Sequence, residues 1–144
     1  MKAKNEFRMT VDSRSVNESF VRASVAAFSA QLDPTLEEIA DIKTAVSEAV
    51  TNCIVHAYAE RLGKIYIYCA IFDNGTIKIS IRDKGCGIED VKKAREPLFT
   101  TLGGERAGLG FAVMESFTDR LSVRSVFGKG TTVTMIKKIG GRQA

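Results

Sequence analysis

The chain has 144 residues, 44% apolar and 26% charged, with a formal charge of +4; that composition excludes a disordered chain and predicts one domain, residues 1–144, with an ordinary core. No apolar run approaches membrane-spanning length and the first residues lead straight into a strand pattern, so neither a signal peptide nor a membrane partner is expected. Lysines and arginines are spread in short pairs such as Lys92-Lys93 and Lys137-Lys138, which argues against a direct nucleic-acid partner, and the odd, unclustered Cys53, Cys69 and Cys86 fit a reducing cytoplasm without disulfides or zinc.

Phe7, Met9 and Val11 alternate with polar residues, which predicts a strand over residues 5–11 with one buried face. Ser15 and Glu18 have capping-box spacing, and Val16, Phe20, Ala23 and Ala27 recur at helical intervals, predicting a first helix to about Gln31 with that stripe buried. A second helix starts within residues 33–38, with two alternative caps: Asp33 followed by Pro34, or Thr35 with Glu38 reaching back. Ile39, Ile42, Val46, Val50, Cys53 and Ala57 continue it as one apolar stripe, and Gly63 supplies the turn that ends it in residues 60–64.

Residues 65–72 are a nearly unbroken apolar run, Asp73-Asn74-Gly75 is a hairpin turn, and residues 76–82 alternate with Ile77, Ile79 and Ile81 on one face. That strand delivers Asp83 at its C-terminal end. A short helix within residues 89–95 leads into a glycine-bearing connection through Pro97, Gly103 and Gly104 with the character of a mobile cover. A helix over 109–117, a strand over 121–127, a turn at Gly128-Lys129-Gly130, a last strand over 131–137 and a frayed tail from Gly140 complete the chain. This β-α-α-β-β-α-β-β order predicts an α+β, two-layer α/β sandwich: a mixed, mostly antiparallel sheet with helices on one face.

The chemistry concentrates around Asp83-Lys84-Gly85-Cys86-Gly87. A buried carboxylate there accepts from an exocyclic amine, a donor that adenine has and guanine lacks at that position; the alternative is a plain strand-to-loop turn. Glu48 and Asn52 share one helical stripe, continued by His56 and set off from the core stripe, so they face either a cleft or solvent. Asn52 offers a hard neutral oxygen suited to Mg²⁺, and Glu48 a carboxylate able to take a proton. Gly108-Leu109-Gly110 ahead of a helix presents amides to phosphate or is an ordinary first turn, with Arg106 as a phosphate contact or a solvated side chain. Thr131-Thr132 offers a hydroxyl or merely suits a strand. His56 and Cys86 read as structural. No third glycine stands in register after Gly87 and no P-loop lysine motif occurs, which excludes the dinucleotide and P-loop readings.

Taken in order, Glu48-x-x-x-Asn52, Asp83-x-Gly85-x-Gly87, Gly108-x-Gly110 and Gly128-x-Gly130-Thr131-Thr132 resemble the Bergerat-fold (GHKL) superfamily of ATPases and kinases, over nearly the whole chain as far as residue 137. The phrases Glu48 to Tyr58 and Gly108-Leu109-Gly110-Phe111 are most similar to its stand-alone serine kinases, the bacterial anti-sigma factors of sporulation. The resemblance implies ATP or ADP with Mg²⁺ as ligands, Asn52 on the metal and Glu48 as general base for an acceptor serine. It implies Asp83 on the adenine amino group with Thr132 beside it, Gly85 among the nucleotide-binding residues, and Gly87 letting the purine lie close to the backbone. Gly108, Leu109 and Gly110 would turn amides to the phosphates, under a lid over residues 95–107 carrying Thr100, Thr101 and Arg106. Implied partners are a sigma factor held inactive, sigma F in the sporulation branch, an anti-anti-sigma protein phosphorylated on serine, and a second copy of the chain, for which the sheet face with Tyr66 and Tyr68 is available. Two other readings stand beside this one. One is a nucleotide-gated sigma-binding module without catalysis. The other is a histidine-kinase-like ATPase domain, against which stands the single histidine, His56, inside the site helix.

Overall fold

The computed structural model of the chain describes residues 2–59, 61–96 and 105–140, with residues 105–109 described by their backbone alone. Strand β1 (Asn5–Asp12) precedes helices α1 (Val16–Ser29) and α2 (Leu36–Asn52). Then come the hairpin β2 (Lys64–Ile71) and β3 (Thr76–Asp83), helices α3 (Val91–Ala94) and α4 (Glu105–Phe117), and the hairpin β4 (Arg120–Val126) and β5 (Gly130–Lys138). The five strands form one sheet in the order β1-β2-β3-β5-β4. Every neighbouring pair is antiparallel, so the expected mixed sheet is corrected to an antiparallel one among the described residues. The reason is the route of the chain: α3 and α4 carry it to the far edge at β4, and a tight hairpin returns β5 into the gap beside β3.

Alternation along the strands decides which side is core. Ile65, Ile67 and Cys69 of β2, Ile77, Ile79 and Ile81 of β3, and Val133 and Met135 of β5 are all buried on one face, beneath Ile42, Val46, Ala49, Val50 and Cys53 of α2. Removing each large aliphatic side chain from water contributes about 1.5–3 kcal/mol, so a one-residue slip of register would forfeit far more than any local propensity gains. The same parity carries Asp83 and Thr131 onto the inner face, directly opposite one another across β3 and β5.

Two features of α1 differ from expectation. The stripe of Val16 and Phe20 is 71% and 54% exposed, and the inward row is Val21, Val25, Ala26 and Ser29. Two overlapping apolar rows exist in this helix, and the one whose valines and small residues let α1 approach α2 closely is buried. Ser15, the expected cap, has helical angles (φ −59, ψ −30) and makes no side-chain cap bond. A cap needs extended backbone; Glu18 instead pairs with Arg22 at 2.8 Å.

Helix α2 resolves the choice of caps. Thr35 is extended, its hydroxyl accepts from the Glu38 amide at 3.0 Å, and Glu38 accepts from the Thr35 amide at 2.9 Å. The second Glu38 oxygen accepts from the Gly140 amide at 3.2 Å, tying the end of β5 to the same cap. A Thr35→Ala variant is expected to lose about 1 kcal/mol of stability, read as a lower urea midpoint with unchanged slope.

Beyond Asn52 the helix widens into a π-helical turn, Cys53–Ala57, closed by the Tyr58 amide donating to the Cys53 carbonyl at 3.1 Å. Ala59, not Gly63, takes the left-handed angle that turns the chain (φ 51). Gly63 is needed for closeness: a Cβ there would lie 2.2 Å from Cε1 of Tyr58. Glu60 of the expected turn, residues 97–104 of the expected lid and residues 141–144 of the expected tail lie outside the described residues. Among the described residues no helix is long and apolar enough to cross a membrane.

Candidate functional site

Asp83 ends β3 on the inner face and is only 6% exposed. Its Oδ1 accepts from the Gly85 amide at 2.9 Å and from the Thr131 amide at 3.2 Å. Burial raises the Asp83 pKa above the ordinary 3.8, and these hydrogen bonds oppose the rise. The Cys53 thiol is pushed well up by its own burial and then by the neighbouring carboxylate.

In front of Asp83 lies a cleft with an empty volume of about 420 Å³, part of it open to solvent. Ala49, Asn52, Cys53 and His56 line it from the end of α2, Gly87 and Ile88 from the loop after β3, Phe111 from α4, and Thr131 and Val133 from β5. Apolar walls around a few fixed polar groups suit a flat heteroaromatic ring.

The loop after Asp83 is pinned from both sides. Tyr58 Oη accepts from the Lys84 amide at 2.7 Å, and the Ala57 carbonyl accepts from the Cys86 amide at 3.1 Å. On the other side the Gly128 amide donates to the Cys86 carbonyl, and the Ile88 amide donates to Ser125 Oγ at 2.7 Å. These bonds explain the glycines first. A Cβ on Gly85 would meet the Ala57 carbonyl oxygen at 2.3 Å, and one on Gly87, at φ +73, would meet the Val126 carbonyl oxygen at 2.3 Å. Gly85 is therefore buried against backbone and does not line the cleft, whereas Gly87 does. Gly87→Ala is expected to lower stability by about 1–3 kcal/mol, measured as a shift in the denaturation midpoint.

Asn52 reaches the cleft from the last turn of α2, and its Nδ2 is buried without a hydrogen-bond partner among the described residues. Glu48 sits one turn earlier. Both face Gly110 of α4: a Cβ there would stand 3.1 Å from Glu48 Oε1 and 3.3 Å from Asn52 Oδ1 and Nδ2. Gly108-Leu109-Gly110 was expected as a turn ahead of a helix. It lies instead inside α4, which already begins at Glu105. Glycine is tolerated within a helix where a neighbouring element must come close, and Gly110 does this for α4 against α2.

Thr132 is also corrected. It pairs with Arg82 and lies on the opposite sheet face with Arg8, Tyr66 and Ser80; Thr131 is the residue beside Asp83. Thr100 and Thr101 lie outside the described residues, as do the side chains of Arg106 and Leu109. His56 and Cys86 line the cleft, and the Cys86 thiol lies against the His56 and Gly87 carbonyls. Asn52 fits Mg²⁺ through its Oδ1: a neutral amide oxygen next to the Glu48 carboxylate suits a hard cation that takes few protein ligands and completes its shell from phosphates and water. Among the described residues no group of three His, Cys, Asp or Glu is placed to hold a metal by itself.

Residues 10–137 match the family model described as a histidine kinase-like ATPase domain. The chain is 60% identical over 141 residues to the anti-sigma F factor of Caldanaerobacter subterraneus subsp. tengcongensis, covering 97% of this chain and 98% of that protein. The chain belongs to the anti-sigma F factor family of histidine kinase-like ATPase domains. The anti-sigma F factor of Clostridium acetobutylicum is 50% identical over 135 residues, with 93% of this chain and 94% of that protein covered. The RsbU and RsbW domains of a Mycobacterium tuberculosis protein share the fold, with a TM-score of 0.70 at 24% identity over 94% of this chain and 32% of that one. A histidine kinase domain from Erythrobacter litoralis has a TM-score of 0.57 at 17% identity, covering 88% of this chain and 63% of that one. The expected Bergerat architecture and the expected anti-sigma branch of the superfamily are thus both met. Within this anti-sigma F family fold, sequence reading named Thr131 only in the pair with Thr132, which the resemblance then favoured, and gave no site role to Cys53, Tyr58 or Ser125. Only Thr131 had a readable signal, its parity with Val133 and Met135.

Proposed function

We propose that the chain is an anti-sigma factor and ATP-dependent serine-protein kinase acting as a single domain in the cytoplasm. It holds a sigma factor, sigma F by family, inactive, and phosphorylates an anti-anti-sigma antagonist on serine. The observation that carries the reading is the nearly buried Asp83 carboxylate at the base of an apolar cleft that Asn52 also lines, with Glu48 one turn before Asn52 and both side chains meeting Gly110.

In this reading Asp83 accepts from the adenine amine, Thr131 stands beside it in place of Thr132, and Gly87 forms the wall against the ring. Asn52 holds Mg²⁺, which when bound neutralises charge on the phosphates. Arg106 and the amides of Gly108 and Gly110 take the phosphates. Glu48 takes or orients the proton of the incoming serine hydroxyl. Such transfer depends mainly on positioning and charge stabilisation rather than on covalent chemistry by the protein. A second copy of the chain pairs through the outer sheet face, where Arg8 stacks on Tyr68 at 4.4 Å and Lys84 on Tyr66 at 5.0 Å.

The test is incubation with γ-labelled ATP, Mg²⁺ and an anti-anti-sigma protein, followed by location of the label. Phosphate on a serine of the antagonist is the expected result. ATP binding with no transfer to any serine would leave only a nucleotide-gated binding module.

A further inference from the structure

Ser125 of β4 lies outside the cleft lining, yet it governs a group inside it. Its Oγ donates to the Gly130 carbonyl at 2.9 Å, accepts from the Ile88 amide at 2.7 Å and stands 2.8 Å from Thr131 Oγ1. A serine hydroxyl has one proton and two acceptor positions. The carbonyl of Gly130 can only accept, so the proton goes there. One acceptor position is taken by the Ile88 amide. The bond between the two hydroxyls must then be donated by Thr131, whose single proton is spent on Ser125. Thr131 lines the cleft beside Asp83 and brings no proton to it. The Asp83 carboxylate is an acceptor too, already turned into place by the Gly85 and Thr131 amides.

We infer that Ser125 is a specificity-determining positioning residue: by consuming the Thr131 proton it keeps the Asp83–Thr131 corner of the cleft acceptor-only, so that the corner takes a purine bearing an exocyclic amine and rejects one bearing a carbonyl there. The inference rests on the nucleotide reading of the cleft given above. Without Ser125, the Thr131 hydroxyl regains a free proton and can donate to a purine carbonyl. A site whose buried polar groups all accept penalises a ligand that also accepts, because neither partner is satisfied.

The measurement is the affinity of the full chain, with Mg²⁺, for ATP and for inosine triphosphate, in which a carbonyl replaces the amine. Ser125→Ala is expected to weaken ATP, to tighten inosine triphosphate, and to narrow the ratio between them by about tenfold. Ser125→Thr, which keeps the hydroxyl, is expected to restore the ratio. A merely structural lesion would weaken both nucleotides by one factor; that result overturns the inference. If Ser125→Ala does not fold, Thr131→Val serves instead. It removes the acceptor without adding a donor and is expected to weaken ATP alone, and an equal loss for both nucleotides again overturns the inference. Asp83→Asn run in parallel separates the two levels: unchanged ATP affinity there would remove the nucleotide reading itself, whereas a loss there with an unaltered ratio in Ser125→Ala removes only the role of Ser125.

Discussion

An Asp83→Asn variant is expected to fold normally and to bind ATP roughly 10- to 150-fold more weakly, the equivalent of one charge-assisted hydrogen bond of about 1.5–3 kcal/mol. The geometry makes this substitution unusually clean. Asparagine retains an oxygen to accept from the Gly85 and Thr131 amides, which hold the carboxylate at 2.9 and 3.2 Å, so the loop keeps its anchor. The new Nδ2 turns a donor toward the cleft, where the adenine amine is also a donor. Binding therefore loses an attraction and gains an unsatisfied pair. The fold itself loses little. Burial raises the Asp83 pKa, so the native state holds this proton more tightly than the unfolded chain. Stability from this group is fully present below the ordinary 3.8 and declines as pH rises from there through the raised native value. The amide has no charge to bury at any pH. Isothermal calorimetry with ATP and Mg²⁺, alongside urea denaturation at acid and neutral pH, checks both halves. Unchanged ATP affinity would place the base elsewhere. A large drop in stability at neutral pH would mean that the charge, and not only the oxygen, organises the loop.

How much of this was legible in the residues follows from the range of the forces involved. The faces of β2 and β3 could be read because their period of two is strict, and the same parity placed Asp83 inward as the continuation of Ile77, Ile79 and Ile81. Applied to β5, it would have chosen Thr131, which shares a face with Val133 and Met135. The adjacent threonines concealed this because either satisfies the local pattern. In α1 the stripe of Val16, Phe20, Ala23 and Ala27 competes with that of Val21 and Val25. Local periodicity cannot choose between two apolar rows; packing against α2 does. The glycines after Asp83 were rightly singled out, but the atoms that require them belong to Ala57 and Val126, far away in sequence. Tyr58 and Ser125 were invisible for the same reason. Each acts through one hydroxyl on a backbone amide of the Lys84–Ile88 loop, and no spacing rule encodes a contact of that separation. The start of α4 at Glu105 was missed because Gly108 and Gly110 lower helix propensity, while contact between α2 and α4 compensates at Gly110.

Glu48→Gln is expected to leave ATP affinity within about twofold while lowering serine phosphorylation by about 10²- to 10⁴-fold, the usual contribution of a positioned general base. Glutamine has nearly the same shape, so it still fits beside Gly110, where an added Cβ would already come within 3.1 Å of Glu48 Oε1. What it lacks is the capacity to take a proton. Glu48 is also well separated in role from the groups that recognise the base, since Asp83 and Thr131 line the cleft and Glu48 does not. Binding and transfer should therefore come apart in this variant. Single-turnover phosphorylation of an anti-anti-sigma protein, with ATP affinity measured in parallel, reads both quantities. Persistence of both would end the assignment of Glu48 as base. Loss of both together would mean that Glu48 shapes the nucleotide site beside Asn52 rather than acting as base. Sigma-factor binding adds a third readout. A protein that holds its sigma factor through nucleotide binding alone should still do so as Glu48→Gln.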